Sequence, residues 1–262
     1  FGFGTKVQDY LDPAKAAVVN LAVSGRSSIS FISDPGSAKN YDLLKTNIRK
    51  GDYLIIAFGH NDEKLEEERY TNPNGSKEDA GSFKNSLYEN YVKLAQNVGA
   101  TPVLVTPVSR QYFTEDGKIR PHHDSTDTST GTQTTENNAY VAAVRQLAKE
   151  EKVLLIDGFE LTKNLYEKAY SDRKGNSEAK KLMFEGDSTH NNKLGGFIIA
   201  GLFAQSIKAQ IPALAKSVVH PVKTIGENSN GSLMFTVDST GKFSCDSEYW
   251  TSYTQKMLDS IK

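Results

Sequence analysis

The chain has 262 residues and a formal net charge of −1, so its overall charge does not indicate a surface for nucleic acid or another polyanion. Hydrophobic residues make up 37% of it, which is enough for the core of one α/β domain. No apolar run reaches about 18 residues, so no membrane-spanning helix is predicted. The single cysteine, Cys245, excludes an internal disulfide framework and a zinc site built from cysteines.

Apolar runs and helical periodicity alternate along most of the chain. The predicted strands are 16–22, 53–58, 102–107 and 153–157. The predicted helices are 5–11, 41–48, 82–98, 137–151, 160–170, 193–211 and 249–261. The clearest strand, 53–58, is apolar on both faces, as a central parallel strand should be. The order therefore predicts an α/β fold with a mostly parallel sheet and helices on both faces.

Two polar segments, 63–80 and 110–135, interrupt this pattern. The first is predicted to be a surface insertion. The second is a long loop after a strand, where long loops tend to be functional or mobile. It contains His122, His123 and Asp124, which could imitate a metal site. Because no third, spaced ligand accompanies them, we expect a solvated or substrate-contacting loop and no metal.

The last 50 or so residues have a different pattern. Residues 212–230 are predicted to be a linker. Residues 232–246 alternate apolar and polar around Asp238-Ser239-Thr240-Gly241, which predicts a β-hairpin with the glycine in the left-handed conformation. Residues 249–261 then predict a closing amphipathic helix.

The stretch 184–190 reads Phe-Glu-Gly-Asp-Ser-Thr-His. Asp187 and His190, three residues apart on a tight loop, can place a carboxylate beside an imidazole. The carboxylate would hold the Nδ1–H of the ring, which leaves Nε2 free to take a proton from a nucleophile. The stretch alone also fits a surface turn in which Asp or Ser caps the next helix.

Two further loops follow predicted strands. Ser24-Gly25-Arg26-Ser27 is a glycine-containing loop with small hydroxyl residues, which can expose backbone N–H groups. Gly59-His60-Asn61-Asp62 follows the clearest strand, at the end where open α/β sheets place their ligands. The Asn61 amide could donate to an oxyanion. An ordinary strand-to-helix turn and an Asx turn are the alternatives.

In this order and at these separations, the three loops resemble the second, third and fifth blocks of the SGNH (GDSL-type) hydrolases. The sequence segments 19–27, 58–62 and 105–108 are similar to those of the rhamnogalacturonan acetylesterase branch. The resemblance covers about residues 1–210. It implies a three-layer α/β/α flavodoxin-like fold in a hydrolase domain over 1–211, with residues 212–262 as a C-terminal extension made of linker, hairpin and helix.

The resemblance also implies roles for individual residues. His190 would be the general base and Asp187 its orienting partner, while the Gly25 N–H and the Asn61 side chain would be oxyanion-hole donors. The substrate would be an acetylated pectic polysaccharide or xylan, hydrolysed outside the cell without a cofactor. No nucleic-acid or membrane partner is expected.

One block of the family pattern is absent. It is a Gly-Asp-Ser whose serine is the nucleophile, and it would lie upstream of Phe1-Gly2-Phe3-Gly4-Thr5. We therefore expect an N-terminally incomplete domain that is inactive or nearly so. The first strand of such a sheet is central, and its loss would leave 17–22 and 53–58 without a shared neighbour. Something must then fill that position.

Two other serines need to be weighed as nucleophiles. Ser188 lies in a Gly-Asp-Ser sequence, but it follows a polar segment and lies between Asp187 and His190. Ser239 follows an apolar run and would serve if the chain were circularly permuted. The hairpin signature around Ser239 argues against that alternative.

Two rival functions stay open. A non-catalytic carbohydrate-binding relative would use aromatic residues such as Tyr70, Tyr112 and Phe113. A lipase or thioesterase of the same superfamily would need a long apolar acyl channel, which the polar segments at 63–80 and 110–135 disfavour.

Overall fold

The computed structural model describes residues 2–127, 132–133 and 138–261. Its strands are β1 (Tyr53–Ala57), β2 (Thr101–Val105), β3 (Thr126–Asp127), β4 (Thr132–Gln133), β5 (Leu154–Ile156), β6 (Thr224–Glu227), β7 (Leu233–Val237) and β8 (Phe243–Cys245). Its α-helices are α1 (Ser30–Ser33), α2 (Ala38–Asn47), α3 (Phe83–Leu87), α4 (Lys93–Val98), α5 (Ala139–Glu151), α6 (Gly158–Arg173), α7 (Ser177–Lys180), α8 (Lys193–Gln210), α9 (Pro212–Ala215) and α10 (Glu248–Asp259). Parts of the predicted loop 110–135 and the predicted start of helix 137–151 lie outside the described residues.

A π-helical turn, Tyr88–Val92, joins α3 to α4. The short helix predicted at 5–11 is instead two 3-10 turns, Phe3–Thr5 and Val7–Tyr10. A seven-residue segment is marginal as an α-helix, and Asp12-Pro13 prevents its continuation. Among the helices of the described residues, none is long and apolar enough to cross a bilayer.

The predicted α/β fold with a parallel sheet is confirmed. β1, β2 and β5 are parallel, in the order β1-β2-β5. Helices occupy the connections between these strands, as parallel pairing requires. The β6-β7-β8 sheet near the C-terminus is antiparallel, and its β7–β8 pair confirms the predicted hairpin. Helix α10 confirms the predicted closing helix.

The strand predicted at 16–22 is wrong. This segment has no strand assignment, and Val19 is 79% exposed. No strand pairs with it among the described residues, and a ladder of backbone hydrogen bonds requires a neighbouring strand. The Gln8 side chain takes over part of that role, since its Oε1 accepts from the Val18 N–H and its Nε2 donates to the Ala16 carbonyl.

The described chain forms two compact units. The first comprises 2–20, 109–119 and 161–261, and the second 21–108 and 120–160 with its two gaps. The second unit contains the parallel sheet, and its core is a continuous apolar cluster. That cluster includes Phe31, Tyr41, Ile56, Phe83, Leu87, Tyr91, Val92, Leu104, Tyr140, Val144 and Leu147.

The first unit is built on α8. The Phe197 ring lies 4.6 Å from the Phe235 ring of β7, and the Tyr10 hydroxyl donates to the Phe197 carbonyl. The linker predicted at 212–230 contains α9 and β6, because β6 pairs with β7 and so gains ordered backbone partners. The division into a hydrolase domain over 1–211 and an extension over 212–262 stays a prediction.

Candidate active site

The loop between α7 and α8 carries the predicted acid–base pair. Its two ends are held together by a β-bridge between Met183 and Asn191 and by a bond from the Phe184 N–H to the His190 carbonyl. The Asp187 N–H donates to the Phe184 carbonyl within the loop. This backbone bonding closes the tight turn that the sequence predicts.

Asp187 orders this loop and holds the imidazole with one carboxylate. Its Oδ1 accepts from the N–H groups of Thr189 (2.5 Å) and His190 (3.0 Å), and its Oδ2 lies 2.7 Å from His190 Nδ1. An ionised carboxylate in this position requires a proton on Nδ1, which leaves the lone pair on Nε2. The His190 side chain is 69% exposed, so the ring is accessible to a reactant.

The charge of Asp187 is set by the same contacts. Burial acts to raise its pKa, but the Thr189 and His190 amides and the His190 ring outweigh that effect and lower the pKa to about 2. The carboxylate is therefore ionised at neutral pH, as an orienting partner must be.

This lowered pKa predicts a pH-dependent contribution to stability. Because the pKa of Asp187 in the folded protein lies below its unfolded value, the contribution is present above about pH 4 and is lost as the pH falls towards about 2. Urea unfolding of the protein and of Asp187→Asn across this range measures it. The two stabilities should converge at the acid end, and a constant difference would contradict the prediction.

The predicted oxyanion-hole residues lie in the second unit. Gly25 has φ +78°, a left-handed conformation that favours glycine in this turn. Asn61 Nδ2 lies 3.4 Å from the Arg26 carbonyl, and Asn61 Oδ1 lies 3.4 Å from Arg69 Nη1. The structure thus brings Asn61 against the loop that contains Gly25, and Arg69 fixes which end of the amide is the donor.

Asp62 connects these two loops, a role that the sequence analysis missed. Its Oδ1 accepts from the Ser28 N–H (3.0 Å), the Ser28 hydroxyl (2.5 Å) and the Thr71 hydroxyl (3.1 Å), and its Oδ2 accepts from the Gly59 N–H (3.0 Å). The side chain is fully buried, and that burial raises its pKa to about 6 against the opposing effect of these donors. Asp62 therefore holds the Asn61 loop against the Gly25 loop.

Two buried tyrosines bind the backbone of the same loops. The Tyr91 hydroxyl donates to the Ser28 carbonyl (2.7 Å), and the Tyr140 hydroxyl lies within hydrogen-bond distance of the carbonyls of Asp62 (2.9 Å) and Thr71 (2.6 Å). Tyr91 belongs to the π-helical turn, a feature that often occurs near functional sites. The hydroxyls give these buried carbonyls the partners that burial demands.

Removing the Tyr140 hydroxyl tests this network. We expect Tyr140→Phe to lower the free energy of unfolding by about 1–3 kcal/mol, because buried carbonyls lose their donor. Tyr41→Phe is the matched control, since the Tyr41 hydroxyl donates to the half-buried Asn90 carbonyl and contacts neither loop. Urea unfolding measures both variants, and equal losses would contradict a special role for Tyr140.

The structure contradicts a solvated loop at 122–124, while contact of this loop with substrate stays a prediction. His122, His123 and Asp124 are all buried, at 6%, 0% and 1% exposure. His123 Nδ1 lies 3.2 Å from Glu63 Oε2, and its Nε2 lies 3.0 Å from the Val108 carbonyl. These protein partners explain the burial. Within the part of the chain that the structure describes, no cluster of potential ligands is able to hold a metal ion.

The structure shows the surroundings of the two alternative serines. Ser239 lies in the turn between β7 and β8, which are antiparallel, so it does not end a strand of the parallel sheet as permutation requires. Ser188 lies inside the acid–base loop, and its hydroxyl accepts from Lys180 Nζ at 2.6 Å. The permutation alternative is therefore wrong.

The four predicted site residues form two pairs. Asp187 and His190 belong to the first compact unit, and Gly25 and Asn61 belong to the second. Each pair is assembled within its own unit by the contacts described above.

Comparison with known proteins now decides the family. The model of the GDSL-like Lipase/Acylhydrolase family matches residues 1–203. This chain belongs to that family. The GDSL-like resemblance predicted from the three loops is therefore confirmed.

Two relatives of this GDSL-like chain are described as rhamnogalacturonan acetylesterases. The probable rhamnogalacturonan acetylesterase YesY of Bacillus subtilis is 32% identical over 223 residues, which cover 83% of this chain and 88% of YesY. The rhamnogalacturonan acetylesterase RhgT of the same organism is 32% identical over 208 residues, which cover 73% of this chain and 74% of RhgT. These names agree with the branch that the sequence indicates.

A solved structure supports the fold of the GDSL-like chain. The crystal structure of YxiM from Bacillus subtilis matches with a TM-score of 0.59 and 27% identity, covering 80% of this chain and 50% of that chain. The same protein, a curated relative described as an uncharacterized esterase, is 29% identical over 210 residues, which are 46% of its own length. The chain therefore spans about half the length of YxiM.

Proposed function

We propose that this protein is a carbohydrate O-acetylesterase that removes acetyl groups from plant cell-wall polysaccharide, either rhamnogalacturonan and other pectin or xylan, by a Ser-His-Asp mechanism. The observation that carries the proposal is the 2.7 Å contact between Asp187 Oδ2 and His190 Nδ1. The names of YesY and RhgT support the substrate class. Because such polysaccharides lie outside the cell, the proposal includes secretion, which detection of the protein in culture medium would test.

Each residue pair has its own task in this mechanism. A serine Oγ attacks the acetyl carbonyl carbon while His190 Nε2 takes the hydroxyl proton. The Gly25 N–H and Asn61 Nδ2 stabilise the oxyanion, and each such donor contributes about 10²–10³ in rate. The imidazolium then protonates the departing sugar oxygen as the C–O bond breaks. Water then attacks the acetyl-enzyme while His190 takes its proton, and the imidazolium returns this proton to the serine Oγ as the Oγ–C bond breaks and acetate leaves.

The mechanism also needs a serine nucleophile, and none is assigned among the described residues. In the described residues β1 is an edge strand, and Ile55 in its middle is 38% exposed. We propose that a strand bearing the nucleophile pairs with this edge, beside the Gly59–Asp62 loop that follows β1. The sequence as written is then expected to hydrolyse acetyl esters weakly or not at all.

An added strand tests the proposal. The chain is compared with a version that carries an N-terminal apolar strand ending in Gly-Asp-Ser and with the same version ending in Gly-Asp-Ala. Release of acetate from acetylated pectin and xylan, and of p-nitrophenol from its acetate ester, is expected only with the serine. Failure of the folded serine version would reject the catalytic proposal and favour a carbohydrate-binding relative.

Chain-length selectivity separates the acetylesterase from a lipase or thioesterase. We expect the active version to hydrolyse p-nitrophenyl acetate faster than the octanoyl ester, since the proposed substrate carries only acetyl groups. The ratio of the two kcat/KM values is the measurement. Preference for octanoate would overturn the acetylesterase assignment while leaving the serine mechanism in place.

A further inference from the structure

The short helix α7 contacts the acid–base loop directly. Its last residue, Lys180, donates from Nζ to the Ser188 hydroxyl (2.6 Å) and to the Asp187 carbonyl (3.3 Å). Gln111 ties the two segments together as well, since its N–H donates to the Ser188 carbonyl (2.8 Å) and its Nε2 to the Ala179 carbonyl (2.7 Å). The position of the loop therefore depends on the position of α7.

The C-terminal helix α10 in turn holds α7. The Trp250 indole Nε1–H donates to the Glu178 carbonyl (2.8 Å), and the Ser247 hydroxyl, at the start of α10, donates to Glu178 Oε2 (2.7 Å). Trp250 is fully buried. A helix of four residues has few backbone hydrogen bonds of its own. The contacts that α10 makes with α7 therefore contribute much of what holds α7 in place.

Helix α10 is itself packed on α8. A Cβ atom on Gly201 would lie 2.4 Å from Met257 Cε, so the two helices approach closely at this glycine. The family match ends at residue 203, before α10 begins. The C-terminal residues thus supply a support that the matched region does not contain.

We propose that Trp250 and Lys180 are positioning residues for the acid–base pair, and that α10 acts on His190 through α7. The path runs from the Trp250 indole to Glu178, along α7 to Lys180, and from there to the loop that holds Asp187 against the ring. This gives the extension at 212–262 a part in catalysis. The proposal rests on the proposed function for the role of His190, but its test does not require turnover.

The readout is the tautomer of neutral His190. Free imidazole side chains favour the proton on Nε2, whereas a carboxylate at Nδ1 favours the Nδ1–H form that a general base needs. Ring ¹⁵N shifts of histidine-labelled protein report the ratio of the two forms. The chain has five histidines, and His190→Ala assigns the signal. Asp187→Asn gives the reference for a ring without its carboxylate.

The test uses substitutions that keep a similar side-chain shape. In the full chain, Trp250→Phe removes the indole N–H, and we expect the ratio of Nδ1–H to Nε2–H to fall about threefold, in keeping with the loss of one modest hydrogen bond. Lys180→Met is expected to lower it further. Tyr249→Phe is the matched control on α10, because its hydroxyl bonds to Asp172 of α6 and not to α7. It should leave the ratio unchanged.

A double variant tests the path. If Trp250 acts through α7 and Lys180, Trp250→Phe should have no further effect in the Lys180→Met background. Urea unfolding checks that every variant is folded where the spectra are recorded. An unchanged ratio in Trp250→Phe, an equal change in Tyr249→Phe, or additive effects in the double variant would overturn the proposal. If the reference Asp187→Asn leaves the ratio unchanged, the acid–base assignment fails, and with it both proposals.

Discussion

Replacing Asp187 with Asn is expected to lower kcat for acetyl-ester hydrolysis by about 10⁴ in the serine-bearing version of the protein. The Asn amide can donate to His190 Nδ1, which would place the proton on Nε2 and remove the base. The Asp187 carboxylate also accepts hydrogen bonds from two backbone amides in the loop. The side-chain oxygen of Asn can still accept both of these bonds. Hydrolysis of p-nitrophenyl acetate measures the effect.

Asp238→Asn is the matched control for this experiment. Asp238 Oδ1 accepts from the Thr240 and Lys242 amides in the β7–β8 turn, much as Asp187 Oδ1 accepts from Thr189 and His190. It contacts no imidazole in that turn. Activity of Asp238→Asn should match the parent. A similar loss in both variants, or no loss in Asp187→Asn, would contradict the role assigned to Asp187.

Replacing Asp62 with Ala is expected to lower the free energy of unfolding by about 3–5 kcal/mol. The Ser28 and Gly59 amides would be left buried without their acceptor, and the two hydroxyl donors of Ser28 and Thr71 would lose theirs. Water cannot replace a carboxylate at a fully buried position without opening the site. Urea unfolding measures the loss.

The control and the pH dependence sharpen this test. Asp52→Ala removes an exposed carboxylate that accepts a hydrogen bond from one backbone amide, that of Arg49. It should lower the free energy of unfolding by less than about 1 kcal/mol.

Because burial raises the pKa of Asp62 above its unfolded value, its contribution to stability is largest at low pH and declines as the pH rises through about 6. The difference between parent and Asp62→Ala should therefore be larger near about pH 5 than near about pH 7. The opposite trend would contradict the assignment.

Local sequence was sufficient for the parallel sheet and for the contact between Asp187 and His190. The stretches 53–58, 102–107 and 153–157 are mostly apolar, and buried parallel strands require that pattern. Asp187 and His190 lie three residues apart, so their contact depends mostly on the turn between them. Both features could be predicted because the physics that forms them is short in range.

The hydrogen-bond network that joins the Gly25 and Asn61 loops could not be predicted in this way. Asp62 bonds to Ser28, 34 residues before it, and Tyr140 bonds to the Asp62 carbonyl from 78 residues after it. No periodicity links positions so far apart. The incorrect strand prediction at 16–22 also arises from distant partners. The apolar run has the composition of a strand, but strand formation needs a pairing partner that the run itself does not specify.

The exposed edge of β1 bears on how the protein behaves at high concentration. In the described residues one side of this strand has no neighbour, and Tyr53–Ala57 contains neither a charge nor a proline that would discourage pairing. Two copies of the chain can pair along such edges, and further pairing of this kind leads to aggregation. Solubility is therefore expected to improve when a strand occupies this edge, even one ending in Gly-Asp-Ala that restores no chemistry.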